Sequence, residues 1–137
     1  MLHLQSINIP EGLESIHYNT FELCSSLKNA TIPKSVTTIE ESAFLSCSSL
    51  QTIKIPDGVT TIEKNVFCLC SSLQSIIIPK GVIKIGNSAF YSCSSLQNVT
   101  IPDSVTSIGS TVFISCASLQ SIIIPDSVTS IGTSLFY

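Results

Sequence analysis

Charge is scarce in this 137-residue chain. Only 11% of its residues are Asp, Glu, Lys or Arg, there is no arginine, and the formal net charge is -3. Average globular proteins carry roughly 25% charged residues. The surface is therefore expected to be polar and nearly neutral, with no basic stripe for a phosphate backbone, and nucleic acid is excluded as a partner. No uninterrupted apolar stretch approaches the roughly 18 residues of a membrane span, so no membrane insertion is expected. The start, Leu2-His3-Leu4-Gln5-Ser6, has neither the basic nor the apolar region of a secretory signal. No export signal is expected within this chain, and a trimmed fragment would read the same way.

What the chain does have is a period. All six prolines, Pro10, Pro33, Pro56, Pro79, Pro102 and Pro125, recur at one fixed interval without insertion or deletion. The same interval separates Leu4, Leu27, Leu50, Leu73, Leu96 and Leu119, and likewise Phe21, Phe44, Phe67, Phe90, Phe113 and Phe136. A short period repeated along a whole chain is the mark of a solenoid. Residues 1–137 are expected to form one repeat domain of six coils without evident capping repeats.

The third copy, Leu50 to Ser72, shows how one coil is built. In Ile53-Lys54-Ile55 two isoleucines share one face and the lysine takes the other, the alternation of a half-buried strand. Pro56 removes a ladder donor and forces an extended residue before it, so it marks a corner. Val59 and Ile62 form a second inward pair on a short second strand. In the second copy Ala43, Phe44 and Cys47 are spaced to share one side of a helical turn, which would close the coil. A unit this small cannot bury its apolar face alone, so coils must stack and like residues form columns. The residues after the prolines, Glu11, Lys34, Asp57, Lys80, Asp103 and Asp126, would place Lys34 and Lys80 each between acidic neighbours, weak support for register.

The unit L-x-x-I-x-I-P-x-x-V-x-x-I-G-x-x-A-F-x-x-C-x-S, best seen from Leu73 to Ser95, resembles the BspA-like leucine-rich repeats, also called the Treponema pallidum class. Coverage is essentially the whole chain. The departures are local: His17, Glu40 and Glu63 stand where Gly86, Gly109 and Gly132 do, and Ala30 replaces a strand isoleucine. The resemblance implies a leucine-rich-repeat solenoid, mainly β with short helical turns, right-handed and curved. It also implies cell-surface or secreted proteins of bacteria and protists that adhere to host or matrix proteins. It carries no catalytic residues. With no signal in the chain itself, a cytoplasmic location stays open.

Chemistry-bearing residues are few. Cys24, Cys47, Cys70, Cys93 and Cys116 form a column, and a ladder spreads its sulfurs along an axis where a zinc site needs them to converge. They read as buried, reduced core residues. Cys68 occupies the variable column of Glu22, Leu45, Tyr91 and Ile114, which reads as surface-facing; it is either an exposed thiol open to intermolecular pairing or an incidental cysteine. His3 and His17 have no carboxylate or cysteine at a metal-binding spacing and read as surface histidines. The serines carry no nucleophile elbow, and the Ser-Ser pairs before each leucine read as turns. No enzyme activity, metal or cofactor is expected. Asn29-Ala30-Thr31 and Asn98-Val99-Thr100 are glycosylation sequons at the start of a strand, and chance accounts for them equally well.

The remaining candidate is a surface. Outward positions of the first strand give Ser6, Asn29, Thr52, Ser75, Asn98 and Ser121 beside Asn8, Thr31, Lys54, Ile77, Thr100 and Ile123. This sheet is the expected partner-binding face, with Ile77 and Ile123 as its apolar anchors, and the expected function is a non-enzymatic protein-binding module. The alternative is a structural block that self-associates end to end. Leu2 and Leu4 at one end, and Leu135, Phe136 and Tyr137 at the other, would carry that assembly through uncapped core layers and strand edges.

Overall fold

The computed structural model describes residues 3–136. The chain winds as a solenoid in which each of the first five coils holds a first strand, a proline corner, a second strand and a closing run of turns; in the sixth coil the expected first strand does not form, and residues 121–124 run without a strand partner. First strands are β1 (Ser6–Asn8), β3 (Asn29–Thr31), β5 (Thr52–Ile53), β7 (Ser75–Ile77) and β9 (Asn98–Thr100). Second strands are β2 (Ser15–Ile16), β4 (Thr38–Ile39), β6 (Thr61–Ile62), β8 (Lys84–Ile85), β10 (Ser107–Ile108) and β11 (Ser130–Ile131). Every pairing is parallel and joins residues one period apart, as in Ser6↔Asn29 and Ile77↔Thr100. The prolines align as expected. The carbonyls of Pro33, Pro56, Pro79, Pro102 and Pro125 each accept the amide of the valine three residues on, at 3.1 Å.

The interior is a set of like-residue columns. Leu27, Leu50, Leu73 and Leu96, Val36, Val59, Val82 and Val105, and Phe44, Phe67, Phe90 and Phe113 are all buried. The phenylalanine rings stack from Phe21 to Phe136, nearly parallel, with centroids 5.2 to 6.1 Å apart.

The closing segment differs from the helical turn read from the sequence: no helix occurs among the described residues. In the second coil the amides of Ala43, Leu45 and Cys47 bond three residues back, to Glu40, Ser42 and Phe44. The amides of Ser42, Phe44 and Ser46 bond instead to Lys64, Val66 and Cys68 of the next coil. A helix would spend all of these donors within its own turn. This turn ribbon spends every second one on its neighbour. The alternation requires left-handed residues four apart, such as Ser42 and Ser46 at φ 60°, and Asn65 and Leu69 at φ 60 and 63°. Each such conformation costs roughly 1–2 kcal/mol for a non-glycine residue, and the coil-to-coil bonds offset it.

The strand ladders are interrupted. First strands pair as β1-β3-β5 and β7-β9, second strands as β2-β4 and β6-β8-β10-β11. The column that reads His17, Glu40, Glu63 and then Gly86, Gly109, Gly132 passes beside the second gap. A Cβ on Gly86 would lie 2.7 Å from the Lys64 amide nitrogen, and one on Gly109 2.7 Å from that of Asn87, so these coils close onto each other only without a side chain. Between β4 and β6 the column holds Glu40 and Glu63, and the ladder is open. Yet β2 and β4 pair across His17 and Glu40. Glycine permits close approach here but is not needed for pairing.

Candidate interaction surface

Each first strand alternates exposed, covered, exposed, because its central residue points into the core. The outward residues consequently form one face. Asn8, Asn29, Thr31, Thr52, Lys54, Ser75, Asn98, Thr100 and Ser121 are all exposed on it. Ile77 and Ile123 project furthest into solvent, at 81% and 83% exposure, against the general tendency of isoleucine to be buried. The two sequon asparagines, Asn29 and Asn98, are likewise exposed, each the first residue of its strand.

The cysteine column is buried at Cys47, Cys70, Cys93 and Cys116 and half-buried at Cys24, and all six cysteines are free thiols. The ladder also has a bonding role that composition did not reveal. Sγ of Cys47, Cys70, Cys93 and Cys116 donates to the carbonyl of Phe21, Phe44, Phe67 and Phe90 in the preceding coil, at 3.1 to 3.2 Å. Burial pushes these thiols up from 9.0, Cys47 to about 12 and Cys116 to about 11. Neutral, hydrogen-bonded thiols of this kind are poor nucleophiles and poor metal ligands.

Two expectations need correction. Cys68 is not an exposed thiol: it retains 8% exposure, and burial raises its pKa. Its column is half-covered in every coil, at Glu22, Leu45, Tyr91 and Ile114, and the small cysteine side chain sinks where larger ones reach out. The Lys34 and Lys80 ladder also fails to form. Among the described residues the ion pairs are His17–Glu40 and Lys64–Glu41, while the residues after the prolines stay exposed and apart.

The His17–Glu40 contact was missed in the sequence although its signal was there, since the two residues occupy one column a period apart. His17 Nδ1 lies 3.2 Å from Glu40 Oε1, and the Tyr18 amide donates to Glu40 Oε2 at 3.0 Å. The Tyr18 amide first, then His17, holds the Glu40 carboxyl below its ordinary range. Among the described residues no three His, Cys, Asp or Glu side chains converge to hold a metal ion. None of the helices needed for a membrane crossing, long and apolar, is present in them either.

At the ends, Leu4 is half-covered and Leu135 is buried at 8%, while Phe136 is 49% exposed; Leu2 and Tyr137 lie outside the described residues. Of the residues expected to serve assembly, Leu135 is therefore already packed inside its own coil. In the last coil Leu119, Ile122, Ile124 and Val128 are only partly buried against the core.

The BspA type leucine rich repeat region matches the sequence in six copies, over residues 1–113 and 60–137. The chain belongs to this family. A leucine rich cell surface protein from Faecalibacterium prausnitzii is similar to it at 34% identity and a TM-score of 0.82, over 95% of this chain and 32% of that one. The leucine rich repeat protein of Treponema pallidum matches at 28% identity and a TM-score of 0.78, over 95% of this chain and 74% of that one. A leucine-rich repeat protein from Bacteroides ovatus matches at 26% identity and a TM-score of 0.67, over 93% and 47% of the two chains. The chain thus spans about a third of the Faecalibacterium protein's length. No curated protein matches.

Proposed function

We propose that this chain is a non-enzymatic, protein-binding repeat module of a cell-surface protein, and that it contacts its partner through the first-strand face. The observation that carries the reading is the pair Ile77 and Ile123, standing almost fully in water on an otherwise polar face, Ile77 in β7 and Ile123 in the unpaired segment of the last coil. Two large apolar side chains at one column of a rigid face are suited to act as anchors, with the surrounding Asn, Ser and Thr satisfying polar groups at the rim. The cell-surface description of the Faecalibacterium relative, and the adhesive role implied by the family, support a host or matrix protein as the partner. The test is surface plasmon resonance of the immobilised chain against a panel of purified extracellular matrix proteins. Binding should weaken at least about tenfold, or 1.4 kcal/mol, in the double variant Ile77→Asp, Ile123→Asp. Unchanged affinity in that variant would sink the reading.

A second reading, end-to-end self-association, is favoured by the 49% exposure of both Ile131 and Phe136 in the last coil. A depression in the first coil, lined by Ile7, Ile9, Leu13 and Phe21, offers a matching apolar surface. Light scattering at millimolar concentration separates the two. A concentration-dependent rise in mass that Phe136→Asp abolishes supports assembly, and a sharp monomer rejects it.

A further inference from the structure

On the second-strand side, one joint between coils is unbonded while the others are made. The amides of Glu40, Gly86, Gly109 and Gly132 each donate to an isoleucine carbonyl of the preceding coil, at 2.7 to 2.9 Å. Glu63 is the equivalent donor in the third coil, and among the described residues its amide has no partner. The amides of Thr37, Ile83, Thr106 and Thr129 likewise bond to the coil before them, and their equivalent, Thr60, does not. β4 and β6 accordingly stand apart, while β2 pairs with β4 and β6 with β8.

Three devices hold the joints that are made. Oγ of Ser35, Ser104 and Ser127 donates to the carbonyl of Leu13, Val82 and Val105 in the preceding coil. Gly86, Gly109 and Gly132 let the neighbouring backbone come close. At the first joint Glu40 turns its carboxylate back to His17 Nδ1 and the Tyr18 amide. The third coil has Gly58 where the serine would be and Glu63 where the glycine would be. Neither change alone opens a joint: the fourth coil has Gly81 at the serine position and its second strand pairs, and β4 pairs with β2 despite Glu40. What sets the third coil apart is the neighbour its glutamate meets. Glu40 turns back onto a histidine, whereas Glu63, turning back in the same way, would come up beside Glu40. Like charges opposed across adjacent strands are destabilising.

The other charged groups around this seam do not relieve the pair. Lys64 Nζ lies 3.6 Å from Glu41 Oε1, and His17 is engaged on the far side of Glu40. Glu40, Glu41 and Glu63 line one open depression together with Tyr18 and Asn19, so three carboxylates share it. The Tyr18 amide first, then His17, holds the Glu40 carboxyl below its ordinary range, so Glu40 keeps its charge well into acid.

We propose that the seam between the second and third coils is a proton-operated joint, open when Glu40 and Glu63 are both ionised and closed when the pair holds one proton. In the closed joint the carboxylic acid donates to the neighbouring carboxylate, a charge-assisted hydrogen bond. The Thr60 amide then reaches the Thr37 carbonyl and the Glu63 amide the Ile39 carbonyl, as the other joints do. The first two coils swing as a unit toward the remaining four, about the β3–β5 ladder and the ribbon bonds from Ser42, Phe44 and Ser46, which stay in place.

The test is amide hydrogen exchange of the full chain followed by NMR, with rates corrected for the intrinsic effect of pH. At neutral pH the Thr60 and Glu63 amides should exchange at least about tenfold faster than Ile83 and Gly86, their bonded equivalents one coil on. At about pH 4, in the ordinary carboxylate range, that difference should vanish, with Ile83 and Gly86 reporting that the fold persists. Glu63→Gln removes the charge at nearly constant size and should protect both amides at neutral pH and in acid alike. Glu63→Gly, which copies the fourth coil, should do the same, and a melting temperature no lower than wild type identifies both variants as folded. Equal protection of Thr60 and Ile83 in the wild type at neutral pH overturns the proposal, and so does a difference that persists at about pH 4. An open seam in Glu63→Gln also overturns it, and closure in Glu63→Gly alone would then assign the opening to side-chain bulk.

Discussion

Along the turn ribbon every neighbouring pair of coils is joined by backbone hydrogen bonds, whereas the strand ladders break once on each face. The ribbon side also carries the phenylalanine stack and the thiol-to-carbonyl bonds. On the strand side, short elements present Asn, Ser, Thr, Lys and Ile outward with little constraint on which. The difference assigns holding to one side and display to the other: the ribbon keeps the coils in register, so the outward strand residues are free to vary.

The most severe way to break this division is to remove a ring from the stack. Phe67→Ala should cost about 3–5 kcal/mol, because Phe67 is fully buried between two other rings and the neighbours cannot collapse into the space. Urea unfolding followed by circular dichroism measures it. Gly109→Ala should cost about 1–3 kcal/mol, since the added methyl meets the backbone of the adjacent coil. Chemical unfolding at matched protein concentration checks it.

A gentler probe titrates the thiols. In the folded chain their pKa values lie above the unfolded 9.0, so their contribution to stability is complete below pH 9. It is lost as pH rises through about 11 for Cys116 and about 12 for Cys47, because the unfolded thiols ionise first. Stability should therefore decline above pH 9, with a shallower slope in Cys70→Val, where one deeply buried thiol is absent. A pH series of melting temperatures tests the sign. The smallest effect on stability should come from the display side. Ile77→Asp should alter it by less than about 0.5 kcal/mol while weakening partner binding at least tenfold or so. A large loss of stability in that variant would erase the distinction between the two sides.

Much of this architecture was legible in the residues themselves. The prolines, leucines and phenylalanines announced the period, and the outward strand residues fell where alternation placed them. The turn ribbon was not legible, because the spacing of Ala43, Phe44 and Cys47 suits a helical turn and a run of alternating turns equally well. What decides between them is the partner coil, which competes for every second amide. Asn19 and Asn65 hinted at left-handed positions, but Ser42, Ser46 and Leu69 in the same series gave no such hint. Cys68 was misread because a column that varies in residue type need not be open to water. Lys34 and Lys80 were misread because alignment in a column brings exposed charges near one another without making them meet.

The unbroken period has a consequence for how such a molecule can change over generations. Each coil bonds only to the one before and the one after, through the same ribbon contacts, so duplicating or deleting a whole coil leaves every remaining joint intact. Length is thereby uncoupled from foldability, and unequal exchange between near-identical stretches, such as Pro102–Gly109 and Pro125–Gly132, can change the extent of the strand face without redesigning any interior.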